Sequence, residues 1–418
     1  MVASKNSKSS DLVSCEILII GGGLVGAAQA IALAQTGVDV AVIDQIDPQS
    51  GLKAGFDGRT SAIALATQRV LQNIGVWGKL GSDPAPIKDI RVTDGPSLFF
   101  LHYDHRDLGD DPFGYMVENR HMRRALMARL AELPNIQMIA PAQVQSLNRT
   151  SEISEAHLDD GRNVKAQLVI AAEGRRSPTR SAAGISLTHW SYKQTAIVCS
   201  VRMEHSHDFI AHEHFLPAGP FAILPLNGDD PKNLGNMASI VWTERDDLAD
   251  VMVGLDDHEF KFEFDQRFGE FLGKTEIVGP RWSYPLSLQF AETCTAERLA
   301  LIGDASHGMH PIAGQGLNMG LRDVAVLAEV ICDAKNVGAD YGSPEILKNY
   351  ERWRRFDNTM MLAATDFLNR LFSNNITPIK LARDLGLAAV NQLPGLKKIF
   401  MRHAMGEIGE LPKLMRDE

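Results

Sequence analysis

The sequence predicts an α/β protein in which a Rossmann-like nucleotide-binding unit is interrupted by a strand-rich unit and followed by a helical tail. Three observations carry this. Residues 16–44, "EILIIGGGLVGAAQAIALAQTGVDVAVID", read as strand, glycine-rich turn, helix and second strand. Residues 298–335 give strand, glycine-rich loop and helix again, far along the chain. Between them lie segments of strand composition, among them "TAIVCSVRM", "FAILPL" and "MASIVWTE".

The first of these stretches divides cleanly. "EILII" is an apolar run of strand length and β-branched composition. Gly21, Gly23 and Gly26 form G-x-G-x-x-G. One glycine permits the tight turn, one lets the backbone approach a pyrophosphate, and one lets helix and strand pack closely. The helix that follows closes at Gly37, and its N-terminus offers free N–H groups to phosphates. The second strand ends in Asp44, 18 positions after Gly26. An acid there hydrogen-bonds a ribose hydroxyl and repels a ribose 2′-phosphate. This site takes the ADP half of FAD or of NAD, and the pattern is common to both.

Further on, "TSAIALATQRVLQNIG" predicts a helix opened by Arg59, and "VENRHMRRAL" one that carries Arg120, Arg123 and Arg124. "RLALI" at 298–302 predicts a buried strand that runs straight into Gly303 and Asp304. Ligands of open α/β sheets bind beyond the carboxyl ends of the strands, so Asp304 is placed to take a polyol hydroxyl. Gly314, Gly316 and Gly320 then let backbone amides approach a flat, electron-rich group. A flavin fits: its ribityl chain meets Asp304 and its ring lies on the backbone of Gly314, Gln315, Gly316, Leu317 and Asn318. N–H groups at a helix start stabilise the negative charge of reduced flavin. NAD alone leaves this second half-site unexplained.

Composition narrows the function classes. The 418 residues suffice for two or three domains, and 44% hydrophobic with 22% charged residues is an ordinary globular profile. A net charge of -10 argues against nucleic acid as a partner. The four cysteines, Cys15, Cys199, Cys294 and Cys332, have no metal or disulfide-framework spacing and read as reduced thiols. The polar, Ser-rich start has no signal-peptide core, and no run of 18 apolar residues occurs. No P-loop pattern is present. His205, His207, His212 and His214 form two H-x-H pairs, for which alternation along strands is preferred to a metal site. His307 and His310 are likewise read without metal.

"GDASHGMHPIAGQGLNMGLRD" resembles the GD motif of class A flavoprotein aromatic hydroxylases, the p-hydroxybenzoate hydroxylase superfamily. "LVIAAEGRRSPTR" at 168–180 is similar to their D-G-x-x-S-x-x-R motif. Gly174, Ser177 and Arg180 match, and Glu173 stands in place of the usual Asp. "DGRTSAIALATQRVLQNIGVW", "GYMVENRHMRRALMARL", "GPFAILPL", "RWRRFDNTMMLAATDFLNRLFSN" and "LPGLKKIFMRHAMG" narrow the resemblance to the ubiquinone-biosynthesis hydroxylase branch. It implies non-covalent FAD held through Gly21, Gly23, Gly26, Asp44, Arg59, Arg120, Glu173, Gly174, Gly303, Asp304, Pro311, Gly314, Gly316, Leu317 and Asn318. Arg59 is expected over the flavin entrance and Arg120 against FAD. The chemistry is centred on the flavin, so no catalytic side chain is assigned; Arg59, Pro311, Gly314 and Gln315 are the pocket candidates.

The implied reaction is ring hydroxylation of a polyprenylated phenol or quinone precursor through a flavin C4a-hydroperoxide, using O2. NAD(P)H is the expected electron donor and a ferredoxin-type protein the other one. A place in a quinone-biosynthesis enzyme complex and peripheral contact with the inner face of a membrane are expected for a cytoplasmic protein with so apolar a substrate. The FAD unit is expected over 12–85, 113–190 and 291–335, the substrate unit over 86–112 and 191–290, and a helical segment over 336–418. The alternatives are a flavin-bound scaffold without turnover and another FAD-dependent oxidoreductase, such as a halogenase or prenyl reductase.

Overall fold

The computed structural model describes residues 12–48, 50, 58–94, 100–228, 234–308, 314–372 and 393–417, with the backbone alone for 360–372. Short runs that are apolar on both faces belong in the middle of a covered parallel sheet. Ile17–Ile20 (β1) is such a run; Leu24–Ala34 (α1) crosses over it to Val40–Ile43 (β2), and every residue of both strands is buried. Next come Thr60–Ala64 (β3), Leu65–Asn73 (α2), Asp89–Asp94 (β4), Phe100–Asp104 (β5), Gly114–Glu118 (β6) and Asn119–Leu130 (α3). Leu168–Ala171 (β7) and Pro178–Ala182 (α4) lead into Leu187–Met203 (β8), Ile210–Leu216 (β9), Gly219–Leu226 (β10) and Met237–Arg245 (β11). Asp246–Gly254 (α5), Asp257–Phe268 (α6), Thr275–Ala291 (β12), Leu299–Leu301 (β13), Gln315–Asn336 (α7), Pro344–Phe372 (α8) and Pro394–Ala404 (α9) complete the main elements.

One sheet has the order Thr295–Ala296, β13, β7, β1, β2, Ile136–Ile139, with parallel pairing from β13 onward. Its core is built from β1, β2, β7 and β13 against α1 and α7. A second sheet of eight strands runs Leu187–Met203 in its centre, in the order His307–Gly308, β12, β8, β11, β10, β9, β4, β5. Its outer face packs Ile197, Phe221, Ile240 and Trp242 onto Phe260, Phe264 and Phe268 of α6. Its inner face meets β3, β6 and α9 through Ala211, Phe215, Leu226, Met116, Met401 and Met405.

Two expectations change. The helix expected from Thr60 begins only at Leu65. Residues 60–64 are extended because each finds a cross-strand partner, from Thr60 opposite Glu118 to Ala64 opposite Gly114. The histidine pairs also part company. His212 and His214 share one face of β9, with ring centroids 5.9 Å apart beside Phe271, as strand alternation requires. His205 and His207 lie in the turn before it, where His207 Nδ1 accepts the Phe209 N–H at 2.9 Å.

A buried ion network ties α7 and α8 to the end of β13. Asp323 is fully buried in α7. Its Oδ2 accepts the Gly303 N–H at 2.8 Å and His307 Nε2–H at 2.7 Å, and its Oδ1 accepts Arg354 Nε–H at 2.6 Å. Arg354, also fully buried, donates its remaining N–H groups to Asp357 and Asn358 at 2.9 and 2.7 Å. Burial would raise the Asp323 carboxyl, but His307 and Arg354 outweigh it and hold the group below its ordinary 3.8. A depressed carboxyl contributes stability above its unfolded pKa and loses it as pH falls through the folded one. Asp323→Ala strands the Arg354 charge, so chemical denaturation at neutral pH should show a loss of about 3–5 kcal/mol. The gap to wild type should narrow as the pH falls below 4.

Candidate active site

The glycine-rich turn after β1 is shaped by contact distances. A Cβ on Gly26 would lie 1.9 Å from the Gly21 carbonyl oxygen, so α1 can start this close to β1 only with glycine there. A Cβ on Gly23 would meet nothing within 4 Å, which leaves room on the side where a phosphate approaches. Gly23 caps α1 without a side-chain hydrogen bond, and no acidic residue stands in the first turn. The first N–H groups of α1 are therefore left for a ligand. Asp44 sits at the end of β2, where Oδ2 accepts the Gly22 N–H at 2.6 Å and Oδ1 the Ile46 N–H at 2.7 Å. These bonds hold the carboxylate beside the turn.

The second half-site arrives from the far end of the chain. β13 ends in a turn over Gly303–Ala305, and α7 begins after Gly314, again with no side-chain cap. Gly314 has φ +63, and a Cβ there would press on the Ala62 Cβ at 2.9 Å. At Gly316 the same test meets nothing within 4 Å. Gly320 was grouped with these two but does something else: its Cβ position lies 2.8 Å from Val25 Cγ2 and 3.4 Å from the Gly303 Cα. The second turn of α7 therefore packs against the start of α1 and the end of β13. Asn318 is buried and acts like a piece of strand, its Oδ1 accepting the Ala64 N–H at 3.0 Å and its Nδ2–H donating to the Ala62 carbonyl at 2.9 Å. Gln315 is buried beside it and Leu317 is half-buried. Pro311 and His310 lie outside the described residues.

The third motif braces the second. Glu173 Oε2 accepts the Ser177 hydroxyl at 2.6 Å and the Thr179 N–H at 3.2 Å, at the start of α4. Its extra methylene is thus used within the motif itself. Gly174 has φ +79 and turns the chain there. Arg180 is buried and donates to the carbonyls of Ala305 at 2.9 Å and Arg175 at 3.0 Å. Arg175 pairs with the exposed carboxylate of Asp304 at 3.5 Å and donates to Ser287 Oγ on β12 at 2.7 Å.

Arg59 and Arg120 are brought together where β3 meets α3: the Asn119 N–H donates to the Arg59 carbonyl at 3.0 Å, and Arg120 forms an ion pair with Glu118. They differ in placement. Arg59 is exposed, whereas Arg120 and Glu118 line a cavity of about 740 Å³ whose other walls include Ser200, Leu226, Met237 and Pro280 of the eight-stranded sheet. Trp282 of β12 lies directly on Gly58, where a Cβ would come within 2.1 Å of its ring. Arg175, Trp282 and the Asp323–His307–Arg354 network were not singled out by the sequence. Arg175, Asp323 and Arg354 all lie inside quoted segments, but nothing local pairs Arg354 with Asp323, 31 residues before it.

The residues present fit a dinucleotide with a ring system at its far end. Two helices without capping side chains start beside glycines that leave space, Gly23 and Gly316, and a carboxylate stands at the end of β2. This is the arrangement of an FAD-dependent oxidoreductase. The comparisons agree. Residues 14–364 match the family model described as FAD binding domain. Ubiquinone hydroxylase UbiL of Rhodospirillum rubrum is 53% identical over 98% of this chain and 94% of its own length. The 3-demethoxyubiquinol 3-hydroxylase of Escherichia coli is 33% identical over 94% and 98%. Among solved structures, p-nitrophenol 4-monooxygenase PnpA of Pseudomonas putida shares the fold, with a TM-score of 0.76 at 18% identity over 94% of this chain and 98% of that one. The chain belongs to the ubiquinone-biosynthesis hydroxylase family of FAD-dependent monooxygenases.

The two glycines of the first turn make opposite predictions. Gly23→Ala has room for its methyl and a helix-compatible φ of -64, so the melting temperature of the FAD-free protein should stay near wild type while flavin affinity falls. Gly26→Ala collides with backbone and should lower that melting temperature as well. Differential scanning calorimetry on stripped protein, with flavin titration by fluorescence, checks both.

Proposed function

We propose that this protein hydroxylates the aromatic ring of a polyprenylated phenol or quinone precursor in ubiquinone biosynthesis, using FAD, O2 and NAD(P)H. The observation that carries the reading is the 53% identity to a protein named as a ubiquinone hydroxylase, spread over nearly the whole chain. When bound, FAD would pass electrons from NAD(P)H to O2 and deliver one of the two oxygen atoms of O2 to the ring. The protein's part is to bind, orient and keep water out. Gly21, Gly23, Gly26 and the start of α1 take the pyrophosphate, and Asp44 takes the adenosine ribose. Glu173, Gly174, Gly303 and Asp304 shape the ribityl region, with Arg175 neutralising Asp304 until a hydroxyl competes for it. Gly314, Gly316, Leu317 and Asn318 present the start of α7 to the ring. Arg59 and Arg120 guard the approach. The segments 12–85, 113–190 and 291–335 serve as the FAD unit, and 86–112 and 191–290 as the substrate unit.

The substrate's tail sets where the protein must work. Each buried CH2 is worth about 0.8 kcal/mol, so even a short prenyl chain prefers lipid to water by many kcal/mol. No helix among the described residues is long and apolar enough to cross a membrane. α9 and the residue before it expose Leu393, Leu396, Ile399 and Phe400, with Lys398 and Arg402 among them. A helix with this composition lies at a lipid interface, so α9 is the surface we assign to peripheral contact. Reconstitution of the flavin-loaded protein with NADPH, 18O2 and a prenylphenol in liposomes should place label in a new ring hydroxyl. If flavin is reduced but no intermediate takes up label with any donor, the protein is a flavin-bound scaffold instead.

A further inference from the structure

The inner face of the eight-stranded sheet is the wall that looks toward β3 and the start of α7. Residues directly opposite on paired strands share a face. One row across this face is Val198, Val241, Ala222, Glu213, Val92 and Leu101, read through successive pairings of β8, β11, β10, β9, β4 and β5. Glu213 is the one polar residue in it. Its neighbours along β9 on this face, Ala211 and Phe215, pack in one cluster with Ala62, Leu65, Met116 and Met401. Ala62 touches both Gly314 and Asn318, the residues where α7 starts. Glu213 therefore stands on the apolar wall opposite the flavin half-site.

Nothing among the described residues holds this carboxylate: no hydrogen bond or ion pair to it is formed. The other titratable groups of this face and of the elements packed on it include Asp94 on β4, Tyr103 on β5, Arg202 on β8 in its pair with Glu276, Arg245 on β11 in its pair with Asp247, Glu118 in its pair with Arg120, and Lys397, in its pair with Asp107, and His403 on α9; Arg59 stands at the entry to β3. Burial alone pushes the Glu213 carboxyl up to about 7. An unpaired carboxylate on an apolar face costs stability, so its presence needs a reason outside folding.

We propose that Glu213 accepts the hydroxyl proton of the phenolic substrate. The assignment rests on the hydroxylase reading given above. The phenol O–H bond breaks, an O–H bond forms on a Glu213 carboxylate oxygen, and the negative charge passes to the phenolate, whose ring is the better nucleophile toward oxygen. After oxygen transfer the substituted ring carbon gives up its hydrogen as a proton to solvent as the ring regains aromaticity, the Glu213 proton returns to that phenol oxygen, and the carboxylate is restored. No electrons change hands in either step. An acceptor near 7 lies closer to a phenol near about 10 than an ordinary carboxylate does, which makes the transfer less uphill.

The test uses full-length, flavin-loaded wild type, Glu213→Gln and Glu213→Leu with a short-chain prenylphenol. In wild type, kcat/KM should rise with pH through about 7, because a protonated Glu213 cannot accept. Glu213→Gln keeps a hydrogen-bonding group, so KM should stay near wild type while kcat falls roughly 100-fold or more and the rise near neutrality disappears. Glu213→Leu should bind flavin and melt at a higher temperature than wild type, by more at pH 8 than at pH 5. The sign follows because the folded carboxyl keeps its proton above the unfolded pKa, so wild-type stability falls as pH rises toward 7. A Glu213→Gln enzyme with wild-type kcat and the same pH limb overturns the assignment, as does a Glu213→Leu protein that melts lower. Wild type that hydroxylates no prenylphenol overturns the functional reading itself, which is a different result.

Discussion

Val25, Gly303 and Gly320 meet at one point, and the placement of everything in the cofactor site follows from that contact. The gap between Val25 and the backbone of the other two residues admits no side chain at position 320. Closing it packs α1 and α7 together beside the end of β13. Neither helix has the capping side chain that most helices use, which suits a start that receives an anionic or electron-rich ligand. The Asp323 carboxylate keeps the contact in place from behind, since it binds the N–H of Gly303 while sitting in α7 itself. Stability and cofactor binding are thus served by neighbouring atoms of the same turn.

The eight-stranded sheet is anchored to this centre at several places. Thr60 Oγ1 reaches Ser239 Oγ at 3.1 Å, Arg175 reaches Ser287, and Trp282 covers Gly58. These contacts tie the sheet to β3, to the turn before it and to the stretch that carries Glu173 and Arg180. The outer face of the same strands is committed to α6, which leaves alternate residues for the inner face.

Local periodicity and glycine spacing were enough to read β1, α1, β2, β13 and α7 from sequence. The strand–turn–helix order of each half-site is written in one short stretch of sequence, and at Gly26 the reason for glycine, the Gly21 carbonyl oxygen, is local as well. Residues 60–64 were misread because their composition suits a helix, and only the distant β6 makes them a strand. The same reasoning separates the site residues. Asp44 and Asp304 stand at strand ends and announce themselves. Arg354 and Glu213 do not, because what makes them notable is the company they keep across the fold: a carboxylate 31 positions back for one, and a row of six strands for the other. Gly320 matched the glycine pattern for a reason the pattern does not contain, helix-to-helix contact in place of ligand approach.

The separation of the two half-sites along the chain also sets an order of events during synthesis. Gly23 leaves the ribosome 280 residues before Gly303. At roughly 5–20 residues per second, that interval lasts about 14–56 s. Throughout it, β1 and β2 have no β13 to extend their sheet, and α1 points its bare N–H groups at a partner not yet made. The nascent chain must carry an apolar sheet edge through that delay, and both half-sites exist only once the stretch through Asn318 has emerged.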